Sequence, residues 1–149
     1  MSQYDLDILG LPEVRWPGAG HEKPPSGHNI IFSGPESRGE HRVALMMMRK
    51  TSLSLLKWQP VSSRILTARF PSQHAKLSVV VCYAHTNEAN DSVKEEFQGT
   101  LQPITTDIAR YDMACFVGDD NAKIGDDRQY YPKSVGCMAS VIGTKMVSF

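Results

Sequence analysis

The sequence predicts a mixed α/β domain, and three observations carry that prediction. Short apolar runs recur along the chain, bounded by Gly, Pro and polar turns. One stretch, beginning at Ser92, repeats apolar residues at helical spacing. It lies between two late, nearly continuous apolar runs, residues 76–83 and 113–117, which read as buried strands.

The elements follow in order. Leu6–Leu11 is an apolar run that stops at Pro12 and reads as a strand, with Glu13 at its end. A domain entered so directly on a buried strand suggests missing upstream sequence. Trp16 through Gly27 is loop by its Pro and Gly content. His28–Ser33 is a short strand, Gly34–Gly39 a turn, and Val43–Met48 a further strand whose methionines read as core filler. Lys50–Trp58 reads as a helical turn. Arg64–Phe70 alternates Ile65, Thr67 and Arg69 against Leu66, Ala68 and Phe70, as a half-buried strand does. Lys76–Tyr83 is β-branched and predicts a central strand covered on both faces.

Ser92-Val93-Lys94-Glu95 has the form of a capping box. Val93, Phe97, Leu101, Ile104 and Ile108 then share one helical face, and Pro103 predicts a kink or an early stop. Met113–Val117 predicts a last buried strand, ending at Gly118-Asp119. Residues 128–149 show no clear period.

The whole chain, 1–149, is one domain's worth of sequence and long enough to bury a core. Hydrophobic residues make up 41% and charged residues 21%, a globular mixture. Lys+Arg and Asp+Glu are 16 each, so no global field draws the chain to nucleic acid or to a membrane surface. The basic residues, Arg15, Arg42, Arg64, Arg69 and Lys123 among them, read as ordinary surface charge. Cys82, Cys115 and Cys137 have no metal-type spacing, and the first two sit in apolar runs as buried thiols, which fits a reducing compartment. The N-terminus has neither the basic region nor the apolar stretch of a signal peptide, and no run approaches a membrane span. An intracellular protein is expected.

Three strand ends carry the chemistry. Val117-Gly118-Asp119-Asp120-Asn121 delivers a carboxylate and an amide, two residues apart, to the C-terminal edge of a buried strand. A hard cation or a phosphate oxygen suits that pair, and so does a plain polar turn. Glu13 ends another strand and offers a second carboxylate. Tyr83 ends a third and precedes a polar loop containing Asn87; its hydroxyl suits a phosphate oxygen, or water at the edge of the core.

Together, Leu9–Trp16, Cys82–Asn87 and Val117–Gly125 resemble the endonuclease/exonuclease/phosphatase family. They look most like the apurinic-type endonuclease domain of non-LTR retrotransposons and the related craniofacial development protein 2 group. The resemblance covers roughly residues 4–127. It implies a two-sheet α/β sandwich flanked by helices, and hydrolysis of a DNA phosphodiester with one divalent ion, magnesium or manganese. It implies Glu13 as metal ligand, Tyr83 and Asn87 as phosphate holders, Asp119 as the group that positions or activates water, and Asn121 as a phosphate contact. It implies DNA as the partner, a nuclear site of action, no membrane and no small-molecule organic cofactor.

Some features depart from the pattern. The family's first strand carries a metal-site asparagine that nothing before Tyr4 supplies. Its last strands bring an Asp and an Asp-His pair, yet the five histidines, His21, His28, His41, His74 and His85, all precede residue 86. His85 stands where the family has proline, and Asp120 where it has an apolar residue. The expected domain is therefore incomplete at both ends, and a remnant with only weak metal or DNA binding is the alternative to an active endonuclease.

Overall fold

Two sheets face each other across a shared apolar layer in the computed structural model, which describes residues 6–34, 42–86, 88–108, 112–119 and 146–147. The first sheet holds β1 (Ile8–Val14), β2 (Gly20–Glu22), β3 (Asn29–Ser33), β4 (Arg42–Met47) and β9 (Met146–Val147), in the order β2-β3-β4-β1-β9. The second holds β5 (Lys57–Ser62), β6 (Ile65–Phe70), β7 (Leu77–Tyr83) and β8 (Met113–Asp119), in that order. Every strand pair is antiparallel except β7 with β8, which is parallel. A parallel pair needs a long crossover. Here it contains α2 (Asp91–Asp107); the only other helix among the described residues is α1 (Arg49–Leu53). The predicted two-sheet α/β sandwich is thus the observed fold.

The core forms because alternate residues of facing strands point into one layer. Ile8, Ile31, Val43, Leu45 and Met47 come from the first sheet; Leu66, Phe70, Val79, Val81 and Val117 come from the second. The outer face of the first sheet carries a smaller cluster of Ile30, Phe32 and Ala44, against which Leu11, Val14 and Met46 pack. The edge of the Trp16 ring also meets Phe32, at a centroid distance of 5.5 Å. Strand β7 is buried at six of its seven positions, as its β-branched run predicts.

Several local expectations change. Strand β1 does not stop at Pro12 but continues to Val14, because a bulge absorbs the proline: from Leu11 to Val14, three residue steps match two on β4. The helical turn expected over 50–58 is α1 at Arg49–Leu53, but it ends short of Trp58, where β5 has already begun at Lys57. The strand's polar sequence and Pro60 suit a sheet edge, where a missing N–H costs little. The loop after Trp16 contains the short β2. Helix α2 has Asn90 as its N-cap, two residues before Ser92, so the capping box does not form: Val93 and Lys94 both donate to the Asn90 carbonyl. Pro103 does not stop the helix, which runs on to Asp107. Gly99, whose carbonyl the proline ring cannot serve, is exposed to water. Cys82 and Cys115 are buried, as expected. Most of the predicted turn at 34–39, and Cys137, lie outside the described residues. Within the patternless stretch 128–149, Met146-Val147 pairs with Ile8-Leu9, so β1 is flanked on both sides. No described helix is long and apolar enough to cross a membrane.

At the end of the second sheet away from Tyr83, an ion pair ties three strands together. Arg69 of β6 donates to both Asp112 oxygens, at 2.6 and 2.9 Å, and Ser78 of β7 donates to Oδ2 at 3.1 Å. The Asp112 side chain is only 5% exposed. The hydrogen bond from Arg69 holds its carboxyl below the ordinary carboxylate range, against the opposing effect of burial. A depressed folded-state pKa adds stability that is present above the unfolded value of about 3.9 and is lost as pH falls through the folded value. The melting temperature is therefore expected to fall as acid reaches and passes that range. Asp112→Asn should melt lower than the native chain at pH 7 and show a flatter acid limb. Equal pH slopes for the two proteins would refute this role.

Candidate metal and phosphate site

The site lies where β1, β7 and β8 end together. Strands β7 and β8 run in register, so Tyr83 and Asp119 are direct neighbours, with Cys82 beside Gly118. Gly118 is required there: a Cβ would lie 1.6 Å from the Cys82 carbonyl oxygen. Across the sandwich, Gly10 of β1 faces β8, and a Cβ at that position would lie 2.5 Å from Val117 Cγ1. The two glycines thus draw β1, β7 and β8 close just below the rim.

The bulge in β1 then sets Glu13. Its backbone has φ +62°, the left-handed region that side chains other than glycine rarely adopt. Bulges of this kind re-aim a side chain at the end of a strand. Here the carboxylate reaches the opposite sheet, where Tyr83 Oη donates to Glu13 Oε1 at 2.5 Å. The tyrosine ring is buried in the inter-sheet core, so its hydroxyl is held at the rim.

Of the residues singled out in the sequence, Glu13 and Tyr83 are brought into contact, and the Asp119 backbone lies beside Tyr83. Asn87, Asn121 and Asp120 lie outside the described residues. Tyr83 has one O–H to donate, and its hydrogen bond goes to Glu13.

Glu13 suits a hard cation. Carboxylate oxygens are the donors magnesium prefers, and one or two of them suffice when water and substrate phosphate complete the shell. Among the described residues, no group of three acidic, His or Cys side chains forms a cage.

Two further groups stand at this rim. Arg64 precedes β6; its Cζ lies 5.0 Å from the Tyr83 ring centroid and its Nη1 donates to the Tyr83 carbonyl at 3.3 Å. The sequence signal that could have found it is the antiparallel pairing of 65–70 with 77–82, which puts residue 64 beside residue 83. His85 follows β7 and meets Phe97 edge to face at 6.1 Å. Burial lowers its pKa, the Arg64 charge lowers it further, and Glu96 opposes both. At neutral pH the imidazole is therefore uncharged.

No family model matches the sequence. Craniofacial development protein 2 from Bos taurus is 29% identical over 125 residues, which are 84% of this chain and 21% of that protein. The Tragulus javanicus protein of the same name is 28% identical over the same share of this chain and 22% of its own length. The chain thus spans about a fifth of the curated relatives it matches. Among solved structures, D. rerio TDP2 complexed with single-strand DNA product superposes with a TM-score of 0.57 at 16% identity, over 82% of this chain and 50% of that one. A humanized D. rerio TDP2 gives 0.55 at 14% identity, over 83% of this chain and 56% of its own. At such identities the likeness to TDP2 is one of fold. The sequence relation is to craniofacial development protein 2, and the fold is the two-sheet α/β sandwich of the endonuclease/exonuclease/phosphatase type.

Proposed function

We propose that this chain carries the phosphodiester-hydrolysing site of a divalent-metal-dependent DNA endonuclease, of the kind found in non-LTR retrotransposons. The observation that carries the reading is the Tyr83–Glu13 hydrogen bond, which joins the two sheets at the rim beside Asp119. The sequence relation and the DNA-bound TDP2 structure support it. Glu13 holds magnesium, and Tyr83 fixes the direction in which that carboxylate points. Asp119 orients the attacking water and accepts its proton, while Asn121 and Asn87 hold phosphate oxygens. Bound at Glu13, the ion supplies neutralisation of the charge that develops on the phosphoryl oxygens.

Purified chain is expected to nick supercoiled plasmid with magnesium but not with EDTA, and Asp119→Ala should abolish nicking. Nicking that survives Asp119→Ala would defeat the assignment.

A second reading, binding without turnover, draws on one observation: the Tyr83 hydroxyl expected at the phosphate is donated to Glu13. It predicts that magnesium raises the melting temperature while no nicking occurs.

A further inference from the structure

The Tyr83 hydroxyl donates its hydrogen bond to Glu13, so a phosphate at this rim needs another donor. Arg64 sits where one is required. Ile65 pairs with Cys82, and Tyr83 N donates to the Arg64 carbonyl at 3.0 Å, which fixes the arginine beside the end of β7. Its guanidinium lies over the Tyr83 ring and spends one N–H on the Tyr83 carbonyl. A guanidinium has five N–H donors in a planar fork that matches two oxygens of one phosphate. Among the described residues no carboxylate pairs with Arg64.

Arg69 shows the contrast. It lies near the other end of β6, the strand that Arg64 precedes, and its fork is filled by Asp112. The arginine within β6 is neutralised inside the fold. The other presents its charge at the candidate site, where His85 also feels it.

We propose that Arg64 is a phosphate-binding residue: its guanidinium grips non-bridging oxygens of a DNA strand laid across the ends of β7 and β8. The proposal rests on the reading of this rim as a DNA site. It adds a cation that a magnesium and carboxylate arrangement alone does not supply. Stacking on Tyr83 keeps the fork in place before DNA arrives, which reduces the ordering cost of binding.

The test is the salt dependence of binding to a labelled single-stranded oligonucleotide, by fluorescence anisotropy in EDTA so that nothing is cleaved. Each phosphate contact adds ~0.7 to the slope of log K against log salt for a single strand. Arg64→Gln is expected to lower the slope by about that amount, and Arg64→Lys to retain the slope while binding several-fold more weakly. Lys50→Gln, exposed on α1 at the far end of β4, should leave the slope unchanged.

An unchanged slope in Arg64→Gln, or no binding by the native chain, overturns the proposal. Should Arg64→Gln not fold, the guanidinium Nε–H resonance of the native chain, assigned through Arg64→Lys, gives the answer. It should move on titration with the oligonucleotide, and a still resonance while neighbouring amides move overturns the proposal. Loss of slope in a chain that never nicks would leave Arg64 assigned and defeat the nuclease reading. Nicking with an unchanged slope would do the reverse.

Discussion

Gly118→Ala is expected to cost more stability than alanine at any other described glycine. The new Cβ would lie 1.6 Å from the Cys82 carbonyl oxygen, 2.7 Å from the Cys82 carbonyl carbon and 3.2 Å from its nitrogen. All three are backbone atoms of β7, which is clamped between β6 and β8 and buried along its length. A side chain in the way could rotate; a central strand cannot. Overpacking a core costs roughly 1–3 kcal/mol when neighbours can adjust. Here the end of β8 must leave β7, so the loss should exceed that range, out of a total of roughly 5–15 kcal/mol for a domain. A fall in melting temperature of ~10 °C or more is expected.

Two other glycines serve as controls. Gly10→Ala meets the Val117 side chain, which can shift, and should cost less. Gly99→Ala on α2 meets nothing within 4 Å and should gain ~1 kcal/mol from helix propensity. If thermal melts rank Gly118→Ala with Gly99→Ala, the described approach of β8 to β7 is wrong.

The second large effect is at Glu13, where stability and function should move in opposite directions. A left-handed conformation costs a residue with a side chain ~1–2 kcal/mol, and Glu13 adopts one at φ +62°. Glu13→Gly removes that strain but also removes the acceptor of the Tyr83 hydrogen bond, worth about 1 kcal/mol or more. The net melting temperature should stay level or rise. Glu13→Gln keeps the strain and weakens the acceptor, so it should melt lower than Glu13→Gly. Both should lose the magnesium-dependent rise in melting temperature, and nicking should fall by at least ~100-fold, since even groups behind a metal ligand contribute 10–100-fold. Calorimetric titration with magnesium and plasmid nicking would check this together. A Glu13→Gly chain that still binds magnesium like the native one would remove Glu13 from the metal site.

The sequence made the interior legible and the edges much less so. Residues 29–33, 43–47, 65–70, 77–83 and 113–117 are mostly apolar because they line the shared core or, in the first sheet, the smaller cluster on its outer face, and their composition announces them. Strand β5 carries Lys57, Gln59 and Pro60 because it lies at a sheet edge, where water replaces a partner. Strand propensity says little about such a segment. Pro12 looked like an end because a bulge depends on which residues face it on β4, a matter of register that one strand cannot show.

The candidate site divides the same way. Glu13, Tyr83 and Asp119 could be placed at strand ends from apolar runs alone. That Glu13 would turn toward Tyr83 depends on one left-handed residue, and that Arg64 would join them depends on antiparallel pairing across two strands.

The Tyr83–Glu13 hydrogen bond has a meaning apart from chemistry. Its donor belongs to one sheet and its acceptor to the other, so it gauges the gap between them. An O–H···O hydrogen bond keeps to a donor–acceptor distance of roughly 2.5–3.0 Å and weakens steeply once its angle falls below about 120°. Substitutions deep in the sandwich, at Phe70 or Gly10, should therefore be sensed at the rim as altered ion affinity. The chain would then carry, in its binding constant for a metal, a record of how well its two layers fit.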